Sequence, residues 1–415
     1  MKIVLCLIAM IWVSNAFTQQ THNFFEDTIQ RLNFSVGADF NYGSTVMTNK
    51  FSNRFLFGGT ITRKMKDDTY KNLGNNNRGG GDLNYTLTAE IPFDTLFDRT
   101  GISLVVGAEF NEHVDVKFDE NLFRLVFDGN KQFAGQEVDI SQTNFNYYKF
   151  QRLNFGFISY KKHKGKLTRE GAIVSLIKGE EHIAANGEGT MTTEQYGRQI
   201  DLELDYTFNS SDTTNKGLKA FNGIGISTDL FTEFYLKNGD KIYLGVEDLG
   251  FVHWNKKSIE ISTDSLYMYD GIVIDDIFNI NDSLIDKLSK DSIIDIISTD
   301  RSKASYATAL PTALHIIYTK KLNSKLVGNL GLYYKILVNY FPYIYANTTY
   351  YINPTFAVKT QLAWGGYGKY NIGLSVAKSI KNSWQLILGT NNLEGYVVPT
   401  KAFSNSGFVG LKKYF

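Results

Sequence analysis

The chain has 415 residues, with 43 Lys and Arg against 42 Asp and Glu for a formal net charge of +1, and it carries 36 Gly, 25 Tyr and 30 Phe but only 5 Pro. That balance excludes the strongly basic surface a nucleic-acid partner needs, and the glycine and aromatic bias favours β-structure. A mean hydropathy of −0.20 leaves one membrane class open, because a barrel offers lipid only alternate residues and fills its bore and loops with polar ones.

Residues 1–16 read as a secretory signal peptide. Lys2 is the positive flank, residues 3–13 form an apolar run too short to span as a helix, and Ser14-Asn15-Ala16 carries the small residues a signal peptidase reads. Cleavage is expected after Ala16, following Sec export. The only cysteine, Cys6, lies inside this leader, so the mature chain is expected to hold no thiol or disulfide. Beyond it no stretch approaches the roughly eighteen continuous apolar residues of a membrane helix. Residues 17–415 are therefore read as one domain.

Its first strand places Leu32, Phe34, Val36, Ala38 and Phe40 on one face and Asn33, Ser35, Gly37, Asp39 and Asn41 on the other, the two-residue period of a strand. Residues 55–62 form a weaker second run, and residues 65–82, with the triple glycine Gly79-Gly80-Gly81, read as a loop by composition. No Lys-Ser/Thr follows those glycines, so they do not match a phosphate loop. Leu83, Tyr85, Leu87, Ala89 and Ile91 share a face of the next strand, and Ile102, Leu104, Val106, Ala108 and Phe110 a face of another. Alternation then stops across residues 119–148, where Leu122, Phe123, Leu125, Val126 and Phe127 have helical spacing. An excursion of about thirty residues between strands is commonly functional, and this one is expected to fold inward as a plug.

Strands resume at Leu153, Phe155 and Phe157 and again over residues 172–177, beyond the basic turn at residues 161–166. Residues 179–195 are ambiguous, while Ile200, Leu202, Leu204, Tyr206 and Phe208 make another apolar face. Asn238-Gly239 marks a hairpin between residues 221–236 and 241–256. The second long excursion, residues 258–305, contains an amphipathic helix pattern over residues 275–297, which reads as a rim cap or as a partner dock.

From residue 306 to the end the chain repeats one unit, a run of about ten residues and a short polar break, the length a tilted strand needs to cross a bilayer. Tyr370, Ile372, Leu374 and Val376 face one way; Asn371, Gly373, Ser375 and Ala377 face the other. The fold class expected is all-β: a transmembrane antiparallel outer-membrane β-barrel of about fourteen strands, with about twelve to sixteen allowed by loose boundaries. Trp254, Tyr340, Phe341 and Tyr343, near run ends, are expected as interface aromatics. Gly250 within a strand, and Pro311, which a strand tolerates only at an edge, first position or bulge, are candidates for a bulge or lateral gate. Gly410, Tyr414 and the final Phe415 resemble the terminal assembly signal of outer-membrane barrels, although Lys413 stands where an apolar residue is usual.

The six histidines, His22, His113, His163, His182, His253 and His315, show no second His or Cys at metal spacing, and Glu180-Glu181-His182 is contiguous and does not gather ligands round an ion. There is no Gly-x-Ser-x-Gly elbow. No catalytic residue, metal or cofactor is expected, and the chain is read as a non-enzyme.

Three phrases occur in order: Gly129-Asn130-Lys131-Gln132-Phe133-Ala134-Gly135-Gln136-Glu137-Val138-Asp139-Ile140, Val246-Glu247-Asp248-Leu249-Gly250-Phe251-Val252-His253-Trp254, and Tyr306-Ala307-Thr308-Ala309-Leu310-Pro311-Thr312. They resemble stretches of a domain-of-unknown-function family of Bacteroidetes outer-membrane barrels, distantly similar to long-chain fatty-acid transporter-type barrels. The resemblance implies an outer-membrane barrel and no established activity. Two functions fit this reading: a porin-like channel or transporter for small molecules, hydrophobic ones among them, and a non-conducting structural or docking subunit of an envelope complex such as secretion or barrel-assembly machinery. The partners expected are outer-membrane lipid, the assembly machinery during insertion, and in the second case that larger complex.

Overall fold

The computed structural model describes residues 24–25, 31–96, 98–163, 166–212, 214–270, 302–336, 338–381 and 383–415. In chain order the elements are β1 (Asn33–Ser44), α1 (Asn49–Phe57), α2 (Arg63–Tyr70), β2 (Asn77–Phe93), β3 (Ile102–Phe118), α3 (Glu120–Asp128), β4 (Glu137–Asp139), β5 (Thr143–His163), β6 (Lys166–Thr193), β7 (Gln199–Ser210), β8 (Gly223–Tyr235), β9 (Lys241–Trp254) and β10 (Ile259–Asp270). There follow β11 (Ser302–Lys303), β12 (Ala307–Ala309), β13 (Ala313–Lys321), β14 (Leu326–Lys335), β15 (Phe341–Asn353), β16 (Phe356–Gly366), β17 (Tyr370–Ile380), β18 (Trp384–Thr390), α4 (Leu393–Val397) and β19 (Ser404–Tyr414).

Fourteen strands close a ring, β1-β2-β3-β5-β6-β8-β9 and then β13 through β19, every neighbour antiparallel. Closure is the pairing of β1 with β19, from Asn33 opposite Tyr414 to Gly43 opposite Ser404. A closed ring leaves no strand edge unpaired, which a spanning sheet requires where no water can satisfy its backbone.

The two-residue period sets the wall. Leu153, Leu176, Leu330, Leu362 and Leu388 are each more than half exposed, whereas Arg152, Asn154, Ser175, Ile177, Gln361 and Ile387, next to them along the strands, are buried. An apolar exterior of this extent is stable in lipid and not in water. Trp364 and Tyr370 face each other across β16 and β17 near one rim. Phe34, Trp384 and Phe415 stand outward near the other, with the Phe34 and Phe415 rings edge to face at 5.7 Å. These are the aromatics placed for membrane interfaces.

At the end that carries both termini the connections are short. Residues 236–240 turn with Gly239 at φ +89°, where Asn-Gly was expected, and residues 322–325 and 354–355 are similarly brief. The opposite, far end carries the helices and a projecting sheet. There β6 runs on beyond the ring to pair with β7, and β7 with β10.

Several expectations change at this end. Residues 49–57 and 63–70 are helical where a weak strand and a loop were read: Phe51 and Phe55, one turn apart, both meet Phe127, and the Thr62 hydroxyl accepts from Met65 N to cap α2. The triple glycine lies in β2, not in a loop, because a Cβ on Gly80 would stand 2.5 Å from the Tyr367 ring. The ambiguous residues 179–195 are mostly continuous β6 strand. Residues 119–148 are a rim structure rather than an inward plug. α3 packs through Phe123 and Phe127 against Phe51, Ile61 and Met65, residues 135 and 140 bond the β6 extension through Gly135 N to Thr193 O and Ile140 N to Gly189 O, and residue 143 begins wall strand β5. The proposed leader, residues 1–16, and the amphipathic pattern at residues 275–297 lie outside the described residues.

Candidate functional site

Within the bore the strands bring buried charged residues together. Glu109 of β3 and Arg152 of β5 are register partners, both on the inward face. Arg152 Nε donates to Glu109 Oε2 at 2.8 Å, its Nη1 donates to Asp248 of β9 and lies 3.9 Å from Asp229 of β8. Asn154 Nδ2 donates to Glu109 Oε1 at 2.6 Å. One guanidinium thus ties four wall strands together across the interior.

Toward the far end Asp82 of β2 takes Lys335 of β14 and, at 2.6 Å, His113 Nδ1. His113 Nε2 lies 3.1 Å from Asp115, which accepts the Asn339 backbone N–H at 3.0 Å. Beside this group Tyr333, Tyr340, Tyr343, Tyr345 and Tyr367 pack as a buried cluster. Tyr340 and Tyr343 are therefore lumen residues, not interface aromatics, since the inward row of β15 is Tyr343, Tyr345, Asn347 and Thr349. Phe341 is half-buried under the Arg78 guanidinium, 4.0 Å from its ring.

Trp254 also turns inward, for a different reason. β9 has one residue too many against β8: Thr228 pairs with Leu249, but Leu230 pairs with Val246. The extra residue is taken up at Asp248, held at φ +57°, and a one-residue slip reverses every later side chain. Val252 and Trp254 thereby join Tyr148, Phe150, Ile177 and Leu310 in a buried apolar layer. The Trp254 ring stacks on His182 at 5.3 Å.

On the other side of β9 the ladder to β12 and β13 is interrupted over residues 310–312, although the register is the same before and after. Pro311 has no N–H to give. What bridges the break is Leu310 N to Gly250 O at 3.0 Å and the Thr312 hydroxyl to Asp248 O at 3.1 Å. Gly250 and Pro311, picked separately in the sequence, flank one interruption. Gly250 has no room for a side chain, as a Cβ there would stand 2.1 Å from Ile226 O. Gly250→Ala is expected to lower unfolding free energy by about 1–3 kcal/mol, read as a drop in denaturation midpoint in detergent.

Immediately on the terminal side of this break the outer wall is concave. Phe157, Ala172, Leu230, Leu244, Leu314 and Ile316 line a hollow of about 990 Å³, and Val246 and Leu314, register partners beside the break, form its edge.

The charged set Glu109, Arg152, Asp229 and Asp248 was not singled out from the sequence. A signal for three of them exists: Glu109, Arg152 and Asp229 stand on the small, polar face of an alternating strand, where a charge must find a partner inside the bore, whereas Asp248 falls in step with Ile242, Leu244 and Val246 and is placed only by the bulge. Of the assembly-signal residues, Gly410 lies opposite Gly37 in the closing pair, and Phe415 is 67% exposed.

These features define an outer-membrane type of antiparallel β-barrel with an apolar exterior and a filled, charge-paired bore. Residues 27–391 match the family described as a family of unknown function (DUF5723), and the chain belongs to that family. No curated protein matches it. Similar solved structures include the Pseudomonas putida toluene transporter TodX, at 10% identity and TM-score 0.44 over 97% of this chain and 96% of that one. The Ralstonia pickettii toluene transporter TbuX is similar at 10% identity and TM-score 0.43, over 93% and 90% of the two chains. A Pseudomonas aeruginosa FadL homologue is similar at 9% identity and TM-score 0.42, over 92% and 90%.

Proposed function

We propose that the chain passes small apolar molecules through the outer membrane by a sideways exit in the barrel wall. The observation that carries this reading is the interrupted ladder at residues 248–250 and 310–312. It lies between an interior apolar layer, with Trp254, Tyr148 and Leu310, and the exterior apolar hollow edged by Val246 and Leu314. This path leaves the bore beside Asp248, at the margin of the ion pairs around Arg152, so an apolar solute taking it need not run the length of a charged bore that would bind water and ions instead. Export through Sec, loss of residues 1–16, and insertion by machinery that reads Phe415 with Tyr414 and Gly410 belong to the same reading.

The test is exchange of a small apolar solute across proteoliposomes containing the purified chain. Release several-fold faster than from protein-free vesicles, with no rise in ion conductance, is the expected result. Equal release rates would end the proposal. The rival reading, a docking subunit, is favoured by the projecting sheet of β6, β7 and β10, which extends past the ring. It requires a stoichiometric partner to co-purify in mild detergent and no solute exchange.

A further inference from the structure

The inward cations Arg152, Arg169 and Lys335 each hold a carboxylate: Glu109 with Asp248, Glu233, and Asp82. Lys359 of β16 does not. It is only 8% exposed, points into the bore near the end that carries both termini, and has no carboxylate within ion-pair reach among the described residues. An ammonium buried with no anion is unfavourable, and an aromatic face compensates only part of the loss. What covers it is such a face: Lys359 Nζ lies 4.1 Å from the centre of the Phe24 ring. Across the β16–β17 ladder stands Ser375, itself only 6% exposed. Ala357 and Ala377 form the floor with Ile387, and Gly373 opens one side, so the wall is thin in side chains where the ring sits. With Phe24 seated about 10 Å³ of free space remains. Among the described residues Phe24 is held by its carbonyl, which accepts from Tyr351 Oη at 2.6 Å, and by the packing of its ring.

We propose that the hollow around Lys359 and Ser375 is a binding subsite for a small monocarboxylate with an apolar ring or chain, and that Phe24 is its removable cover. The Phe24 ring occupies the place of the ligand's apolar body. A carboxylate would add what the ring lacks, a charge for the ammonium and an acceptor for the serine hydroxyl, both in a site shielded from water where such bonds are strong. As an assignment of cargo this rests on the transport reading, but as a binding site it stands apart from it.

The test is titration calorimetry of the detergent-purified full chain with benzoate and with benzyl alcohol, which has the same ring without the charge. The wild type, Phe24→Ala, Lys359→Met and the double variant are compared, and heat-modifiable gel mobility checks that each is folded. Benzoate is expected to bind Phe24→Ala at least tenfold more tightly than the wild type. It should also bind Phe24→Ala at least tenfold more tightly than benzyl alcohol does, and the double variant should lose that preference. Benzoate binding no better than benzyl alcohol in Phe24→Ala, or unchanged by loss of Lys359, would overturn the site. If the lysine variants fail to fold, the benzoate to benzyl alcohol comparison in Phe24→Ala still decides. Vesicle exchange separates the two proposals: apolar flux with no benzoate preference sinks the subsite alone, and benzoate binding with no flux sinks transport alone.

Discussion

Arg152→Met is expected to be the most destabilising single change in the wall. The guanidinium is the shared counter-charge of Glu109, Asp248 and Asp229, and a neutral side chain leaves three carboxylates facing one another in a bore from which water is largely excluded. Removing one partner of a buried ionic group costs about 3–5 kcal/mol, far more than the pair is worth against an apolar replacement of both. The loss should be concentrated at the bulge, because the Asp229 carboxylate also accepts the Asp248 backbone N–H at 2.7 Å. Repulsion there works directly on the residue that holds φ +57°. Urea unfolding in lipid vesicles measures the effect. Adding Asp248→Asn should recover part of the loss, by removing one of the unpaired charges. A single variant within about 1 kcal/mol of the wild type would mean that these charges do not hold the wall.

A disulfide across the interrupted ladder is expected to abolish solute exchange. Phe251 and Ala309 are register partners just beyond the break, and both stand on the outer face. Directly opposed strand residues have Cα atoms about 4.5–5.5 Å apart, within the reach of a disulfide. Phe251→Cys with Ala309→Cys would add the only two thiols besides Cys6. Under oxidation the staple prevents β9 and β12 from parting, so exchange should fall to the protein-free rate and return on reduction. Exchange that continues with the staple fully formed would place the route elsewhere, leaving a path along the bore axis as the alternative.

The parts legible beforehand share one property, locality. Alternation from Leu32 to Asn41 and from Tyr370 to Ala377 assigns each side chain to lipid or lumen, because successive residues of a strand point oppositely wherever the strand lies. The same rule, applied across residues 343–349, also yields the inward tyrosines that aromatic clustering alone misassigned. Asn238-Gly239 marked its hairpin because the turn's backbone demand is met within four residues.

Other features depended on contacts that no local pattern carries. Lys335 and Asp82 are 253 positions apart, and nothing near either residue indicates the other. Gly250 and Pro311 each suggested an irregular strand, yet only ring order puts them on the two sides of one break. Trp254 faces inward because of a single extra residue at Asp248, and a strand pattern read by eye runs straight through such a bulge. α1 and α2 form because Phe51, Ile61 and Met65 find α3 across the rim, a tertiary burial that outweighs weak local preference.

By itself, then, the order of residues determined an oily cylinder of roughly fourteen strands, since period two and span length are properties of neighbouring residues. Which inward charges neutralise each other, where the wall is weakest and which buried lysine meets no anion among the described residues were decided only when the ring closed. Closure sets distances between strands that sit far apart in the chain, and electrostatic pairing in a dry bore depends on those distances.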